Sequence, residues 1–283
     1  MPLKFYRPMT AGRRNASVID FRKELTKGTP EKTLIERLPR TGGRNSNGRI
    51  TNRAMQSSYT KLYRIIDYKR DKDGIPAKVA GIEYDPIRSA FIALLHYQDG
   101  EKRYILAPLN LKVGQTVVSG ERVEPDVGNA MPLKNMPLST QIHCIELQPG
   151  AGGKMVRAAG GEARLLAREG GKATIVLPSG EVRFVPELCR ATVGQIGNLD
   201  HQNVSVGKAG RNRHMFGKRP QGRGSAMNPV DHPMGGGSGR SKGHIPQSRS
   251  GVLSKGGKTR KPKARTNNQI IRRRKGSAQQ SSM

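Results

Sequence analysis

Residues 201–283 carry 19 Lys and Arg against a single acidic side chain, and their only aromatic is Phe216. A segment of that make-up repels itself and holds almost nothing to bury, so it orders only where a polyanion neutralises it. Phosphates do this with release of counterions. The rest of the chain shows the same split. Residues 1–60 hold 13 basic and 4 acidic side chains, residues 61–130 hold 11 and 10, and residues 131–200 hold 8 and 6. Two basic arms therefore flank a nearly neutral middle, within a formal charge of +30. Only 34% of the 283 residues are apolar and there is no Trp, which excludes one large core. No stretch is long and apolar enough for a membrane span, and the arms lack the Trp/Phe/Leu face of an interfacial helix. Cys144 and Cys189 cannot build a disulfide framework and suit a reducing, intracellular compartment.

The middle reads as mainly β. Strands are expected over 61–68, 77–84, 90–97, 102–106 and 111–118, with Gln98-Asp-Gly-Glu101 as a hairpin turn. After the Pro-rich connector 131–138, further strands are expected over 140–147, 154–156, 163–167, 173–177, 181–185 and 189–196. Pro178-Ser-Gly180 is their hairpin turn. Closely spaced short strands with little helical periodicity point to two small barrels. The expected order is a basic extension (1–60), a barrel (61–130), a second barrel (131–200) and a Gly-rich basic extension (201–283).

Sites with chemical promise fail on spacing. Gly150-Ala-Gly-Gly-Lys154 has Gln148 where a phosphate loop needs Gly and Met155 where it needs Ser or Thr. Gly257-Lys-Thr259 lies in a polar tail, with Val252 at the position of the earlier Gly. The two cysteines are 45 residues apart and no paired ligand spacing exists, so both read as core thiols; no metal or cofactor is expected. The stretch 222–240, containing Asn228-Pro-Val-Asp-His-Pro233 and Gly235-Gly-Gly237, pairs Asp231 with His232 in sequence. Neighbours in an extended chain point in opposite directions, which argues against a triad-like hydrogen bond. A loop of this kind, flanked by Arg223 and Arg240, suits threading between RNA helices.

At these residues the sequence resembles the bacterial form of the universal large-subunit ribosomal protein of the L-two family. The resemblance covers nearly the whole chain. It rests on Tyr63-Arg-Ile-Ile-Asp67, Asp71-Lys-Asp-Gly-Ile-Pro76, Ile82-Glu-Tyr-Asp-Pro86, Asp99-Gly-Glu-Lys-Arg-Tyr-Ile105 and Val156-Arg-Ala-Ala-Gly160. It continues through Ser179-Gly-Glu-Val-Arg183, Arg190-Ala-Thr-Val-Gly194, Gly207-Lys-Ala-Gly-Arg211, Met227-Asn-Pro-Val-Asp-His-Pro233 and Ile270-Ile-Arg-Arg-Arg274. The resemblance implies an OB-like barrel followed by an SH3-like barrel, with both extensions buried in RNA. It further implies a primary binder of large-subunit ribosomal RNA in the cytoplasmic ribosome. Subunit joining, tRNA binding and the peptidyl-transferase region are its setting, with small-subunit RNA and neighbouring ribosomal proteins as partners and no small-molecule substrate. Family arginines implicated in RNA binding map onto Arg88 and Arg157, both at places that suit exposure. The family histidine debated for peptide-bond formation maps onto His232.

The expected RNA-binding set includes Arg44, Arg49 and Arg53 in the first extension. Arg64, Arg88, Lys154 and Arg157 come from the barrels. Lys208, Arg211, Arg213, Arg219, Arg223, Asn228, His232 and Arg240 follow them, and Lys258, Arg260, Arg272, Arg273 and Arg274 come from the tail. Two departures stand out. Arg53-Ala-Met-Gln-Ser-Ser-Tyr-Thr-Lys61 replaces the family's His-x-Gly-Gly-Gly-His-Lys-Arg stretch. Met234 and Ser238 stand where a second His and an acid are usual, so a mechanism needing two histidines in that loop does not apply. No catalysis is expected. The competing readings are a protein-assisted peptidyl transferase using Asp231 and His232, and a sequence-blind nucleic-acid condensing protein.

Overall fold

The computed structural model describes residues 3–26, 28–56, 60–238, 245–255 and 260–274. They group into two compact units. One contains Met1–Pro39, Thr60–Lys208 and Asn268–Met283; the other contains Arg40–Tyr59 and Ala209–Asn267.

The first unit holds both barrels. β1 (Leu3–Phe5) pairs antiparallel with β2 (Ser17–Ile19), a one-turn helix α1 (Phe21–Glu24) follows, and β3 (Ile35–Arg37) pairs with β4 (Leu62–Arg64). Next come β5 (Ala77–Glu83), β6 (Ile92–Tyr97), β7 (Lys102–Leu106) and β8 (Thr116–Val117), in the sheet order β7-β6-β5-β8. Then β9 (Ala130–Pro132), β10 (Gln141–His143), β11 (Ala163–Glu169), β12 (Lys172–Val176), β13 (Val182–Pro186), β14 (Arg190–Val193) and β15 (Ile270–Arg272) form a seven-stranded antiparallel sheet. Its order is β15-β13-β12-β11-β10-β14-β9. The architecture is mainly β, as expected.

The hairpins form where their turn chemistry places them. Between β6 and β7, Gly100 takes φ +86, and the Tyr97 N–H donates to the Glu101 carbonyl at 2.9 Å. The apolar run of β6 is explained by two cores rather than one. Ala93, Leu95 and Tyr97 point into a cluster with Val79, Ile105 and Val117, while Ile92 and Leu94 point into another with Tyr104, Leu106 and Ile196. A strand buried on both faces reads as continuous rather than alternating. The register of β5 slips between Val79 and Gly81, a bulge that increases local twist in the half-barrel.

Several expected strands are shorter. The 111–118 strand contracts to β8, because Gly114 turns at φ +89. The 140–147 strand ends at His143, because Cys144 takes φ +53, outside the extended region. Lys154–Val156 contributes an isolated bridge, Ile145 to Met155, rather than a strand.

The basic ends are less bare than their composition implies. Ile19 lies in the same core as Val79 and Leu95, with Leu3 and Leu25 packed against it. Far along the chain, β15 adds to the open edge of β13.

The two barrels are fastened together within this unit. The guanidinium of Arg70 is buried, with Nε donating to Ser119 Oγ at 3.0 Å and Nη1 to the Gly128 carbonyl at 3.3 Å. From β14, Arg190 donates to both Asp73 oxygens at 2.6 Å and to the Arg70 carbonyl at 2.8 Å.

His143 lies buried at the end of β10, its Nδ1 donating to the Gly194 carbonyl at 2.7 Å. Burial lowers its pKa to about 4; the Gly194 bond opposes this and the Arg70 charge adds to it. The unfolded ring titrates near 6.5, so between those values the unfolded chain binds a proton that the native one refuses. Stability from neutral His143 is complete above about pH 6.5 and falls as pH drops towards 4, by on the order of 3 kcal/mol. Urea unfolding between pH 7.5 and 5 should show this slope, and His143→Gln should flatten it. An unchanged slope in that variant would refute the assignment.

Candidate nucleic-acid interface

The glycine loop 150–154 begins from a buried carboxylate. Glu146 is enclosed, and its oxygens accept the backbone N–H groups of Gly152 at 2.8 Å, Arg190 at 3.0 Å and Gly150 at 3.2 Å. The amides that make such a loop resemble a phosphate cradle are thus turned onto an internal anion. Gly153 is pressed so closely to Cys144 that a Cβ there would sit 2.3 Å from the Cys144 carbonyl oxygen. Its N–H donates to the Tyr68 carbonyl at 2.8 Å, tying the loop to the other barrel.

This loop leads the chain to Arg157. Val156 adopts φ +53, uncommon for a β-branched residue, while its carbonyl accepts the Cys144 N–H at 2.9 Å. Arg157 is exposed, with its guanidinium carbon 4.7 Å from the centre of the Tyr68 ring and Nη1 3.5 Å from the Gly153 carbonyl. Lys154 is exposed beside it.

Arg88 departs from expectation. Only 14% of its side chain is exposed, because Nη1 pairs with the fully buried Asp85 and Nε donates to the Tyr68 hydroxyl at 3.0 Å. Its guanidinium also lies 4.9 Å over the Tyr63 ring. Asp85-Pro-Ile-Arg88 is thus a turn folded back onto its own carboxylate rather than a presented charge. Arg64 is more enclosed still. It is 8% exposed, with Nη1 on the Leu62 carbonyl at 2.9 Å, so it serves the interior of the fold.

In the second unit, the two basic arms meet each other. Met55 bridges to Lys218, the Gln56 N–H donates to Gly217 at 2.6 Å, and the Arg219 N–H donates to Ala54 at 2.8 Å. Gln221 Nε2 donates to the Arg53 carbonyl at 2.9 Å. Helix α2 (Ala209–Phe216) carries Arg211, half-buried, and Arg213, exposed. Arg44, Arg49, Arg53, Arg219 and Arg223 are all exposed. Among the described residues, none of the three apolar clusters includes a side chain from this unit.

The loop 224–236 is held by its own backbone. The Gly235 N–H donates to His232 at 2.8 Å, the Gly236 N–H to Met227 at 3.0 Å and the Asp231 N–H to Asn228 at 3.0 Å. Half-buried His232 lies against Gly224, where a Cβ would come within 2.3 Å of the ring. Its Nδ1 accepts the Met234 N–H at 3.0 Å, which puts the proton of the neutral ring on Nε2. Nδ1 is therefore engaged by the backbone rather than by Asp231, and the two residues do not form an acid–base pair of the triad kind. Asn228 is exposed.

The remaining expected residues are dispersed. Lys208 is exposed at the end of the first unit's central segment. Arg260 is held by Asn267 at 2.7 Å and Thr266 at 2.6 Å, while Arg272 on β15, Arg273 and Arg274 are exposed. Arg240 and Lys258 lie outside the described residues. Reading by charge missed Tyr63, Tyr68 and Glu146. Tyr68 is 20 residues from Arg88 and 89 from Arg157 in sequence, and no local spacing connects them. Among the described residues no helix is long and apolar enough to cross a membrane, and no three His, Cys, Asp or Glu side chains gather as a metal site.

Residues 31–119 match the family model for the RNA-binding N-terminal domain of ribosomal proteins L2, and residues 126–251 match the model for their C-terminal domain. The half-barrel and the larger sheet are accordingly the OB-like and SH3-like domains of that family. Two domain matches in their family order, a basic second unit whose described residues add no side chain to the three apolar clusters and a histidine loop without an acid–base pair agree with one another, and the chain belongs to the ribosomal protein L2 family of structural, RNA-binding constituents of the large ribosomal subunit.

Proposed function

We propose that the chain is a primary binder of large-subunit ribosomal RNA, engaging it through the second unit and through Arg157 and Lys154 at the barrel junction. It thereby supports joining to the small subunit, contact with small-subunit RNA and neighbouring ribosomal proteins, and tRNA binding. The loop 224–236 serves the peptidyl-transferase region by shape, with His232 positioning RNA rather than moving protons. One observation carries this reading. The second unit holds 18 Lys and Arg against Asp231 alone, and its described residues place no side chain in an apolar core. Such a segment takes its order from a polyanion, and Arg suits that task because its planar fork meets phosphate oxygens bidentately.

The test is limited trypsinolysis. In the free protein, cleavage after Arg44, Arg53 and Arg223 should run more than about tenfold faster than after Arg103 and Arg190 in the barrels. Within assembled large subunits the first three sites should become protected. Equal rates in the free protein would show that the second unit is stable without RNA.

A further inference from the structure

We propose that Tyr68 is a positioning residue for RNA binding, a side chain that orients Arg157 for its phosphate and ties that contact to the other barrel. The inference rests on the RNA-contact reading of Arg157 and deepens it. Tyr68 is half-buried on the segment leaving β4, and its two ends are used differently. The hydroxyl accepts Arg88 Nε at 3.0 Å, and Arg88 is itself fixed by buried Asp85 and by the Tyr63 ring at 4.9 Å. The ring face carries the Arg157 guanidinium at 4.7 Å, and the Tyr68 carbonyl receives the Gly153 N–H at 2.8 Å.

A chain of contacts therefore runs from Asp85 through Arg88 and Tyr68 to Arg157. Its members differ in what they offer a ligand. Arg88 is largely enclosed and its charge faces a carboxylate, so it holds the ring. Arg157 is exposed and has no carboxylate partner among its contacts within the described residues; beyond the Nη1 contact to the Gly153 carbonyl, its remaining N–H groups are open to a ligand. Stacking against an aromatic face restricts a guanidinium to one plane while leaving its edge donors open. A long side chain otherwise loses rotamer freedom on meeting a phosphate; here the ring removes much of that cost beforehand.

The experiment measures binding of the full chain to a transcript of the large-subunit ribosomal RNA over a series of salt concentrations. Arg157→Ala should weaken binding about tenfold and lower the salt slope by about 0.7–0.9, the signature of one lost phosphate contact. Tyr68→Leu, which changes no charge, should reproduce most of both effects, because Arg157 then no longer meets its phosphate. In the double variant the losses should not multiply. Tyr68→Phe keeps the ring under Arg157 and should stay within about threefold of the parent. If Tyr68→Leu fails to fold, Tyr68→Met fills similar space without an aromatic face and is held to the same expectation. A parental salt slope in the ring-less variant, or losses that multiply in the double, would overturn the role of Tyr68 while leaving Arg157 as an RNA contact. An unaffected Arg157→Ala would overturn the contact itself.

Discussion

Glu146→Ala should destabilise the protein by about 3–5 kcal/mol, the sum expected for two or three charge-assisted hydrogen bonds whose donors lose their acceptor. Gly152 is buried and the Arg190 amide lies at the start of β14, so water repairs these losses poorly; Gly150 is exposed and can be hydrated. Small domains hold only about 5–15 kcal/mol in all, so the change is a large share of the total. The damage should also spread to function. Without the carboxylate the first half of the loop 150–154 loses its anchor while the Gly153 and Lys154 amide bonds remain, and Arg157 is delivered by that loop. Glu146→Gln keeps the shape but turns an amide donor towards one of the N–H groups, and should lie between the parent and Ala. Urea unfolding monitored by circular dichroism provides the measurement, with the midpoint falling at unchanged slope. A loss below about 1 kcal/mol for Glu146→Ala would show that the loop is held by something else.

Native-state alkylation of Cys144 and Cys189 should be slower than that of the denatured chain by about a thousandfold at pH 8. Cys189 is fully buried in the core of the larger sheet, and Cys144 is half-buried against Gly153. Burial pushes both thiols up to about 12, whereas an ordinary cysteine titrates near 8.5, and only the thiolate attacks. Cys144 is the stricter test, being the more accessible residue. Mass spectrometry of iodoacetamide-treated protein, with and without denaturant, resolves the two sites. Native labelling of either one within tenfold of its denatured rate would contradict the burial. A catalytic or metal-binding use of these thiols would require the thiolate that the fold suppresses.

Much of this protein is legible in its sequence. Turn chemistry at Gln98-Asp-Gly-Glu101 and Pro178-Ser-Gly180 marked two hairpins, and alternating or continuous apolar runs marked the strands that join there. The reason is physical: turn geometry and strand periodicity are properties of neighbouring residues. Charge was equally legible, because it needs no partner to be counted. The enclosure of Arg88 and of Arg64 was hidden from the sequence for one reason. An arginine reads as a surface cation until its acceptors are known, and the Leu62 carbonyl and the Asp85 carboxylate become acceptors only when the backbone turns.

Sequence by itself therefore determined two small β barrels, their order, the basic segments and the absence of a phosphate-loop spacing. Tertiary structure alone decided which amides Glu146 would occupy, that β15 would pair with β13 and that residues 53–56 would meet residues 217–221. It also decided that one tyrosine would lie between two arginines. Each of those pairings joins groups distant along the chain or competing for several partners. Local preference sets the face a residue presents, but only the closed fold selects which face it meets.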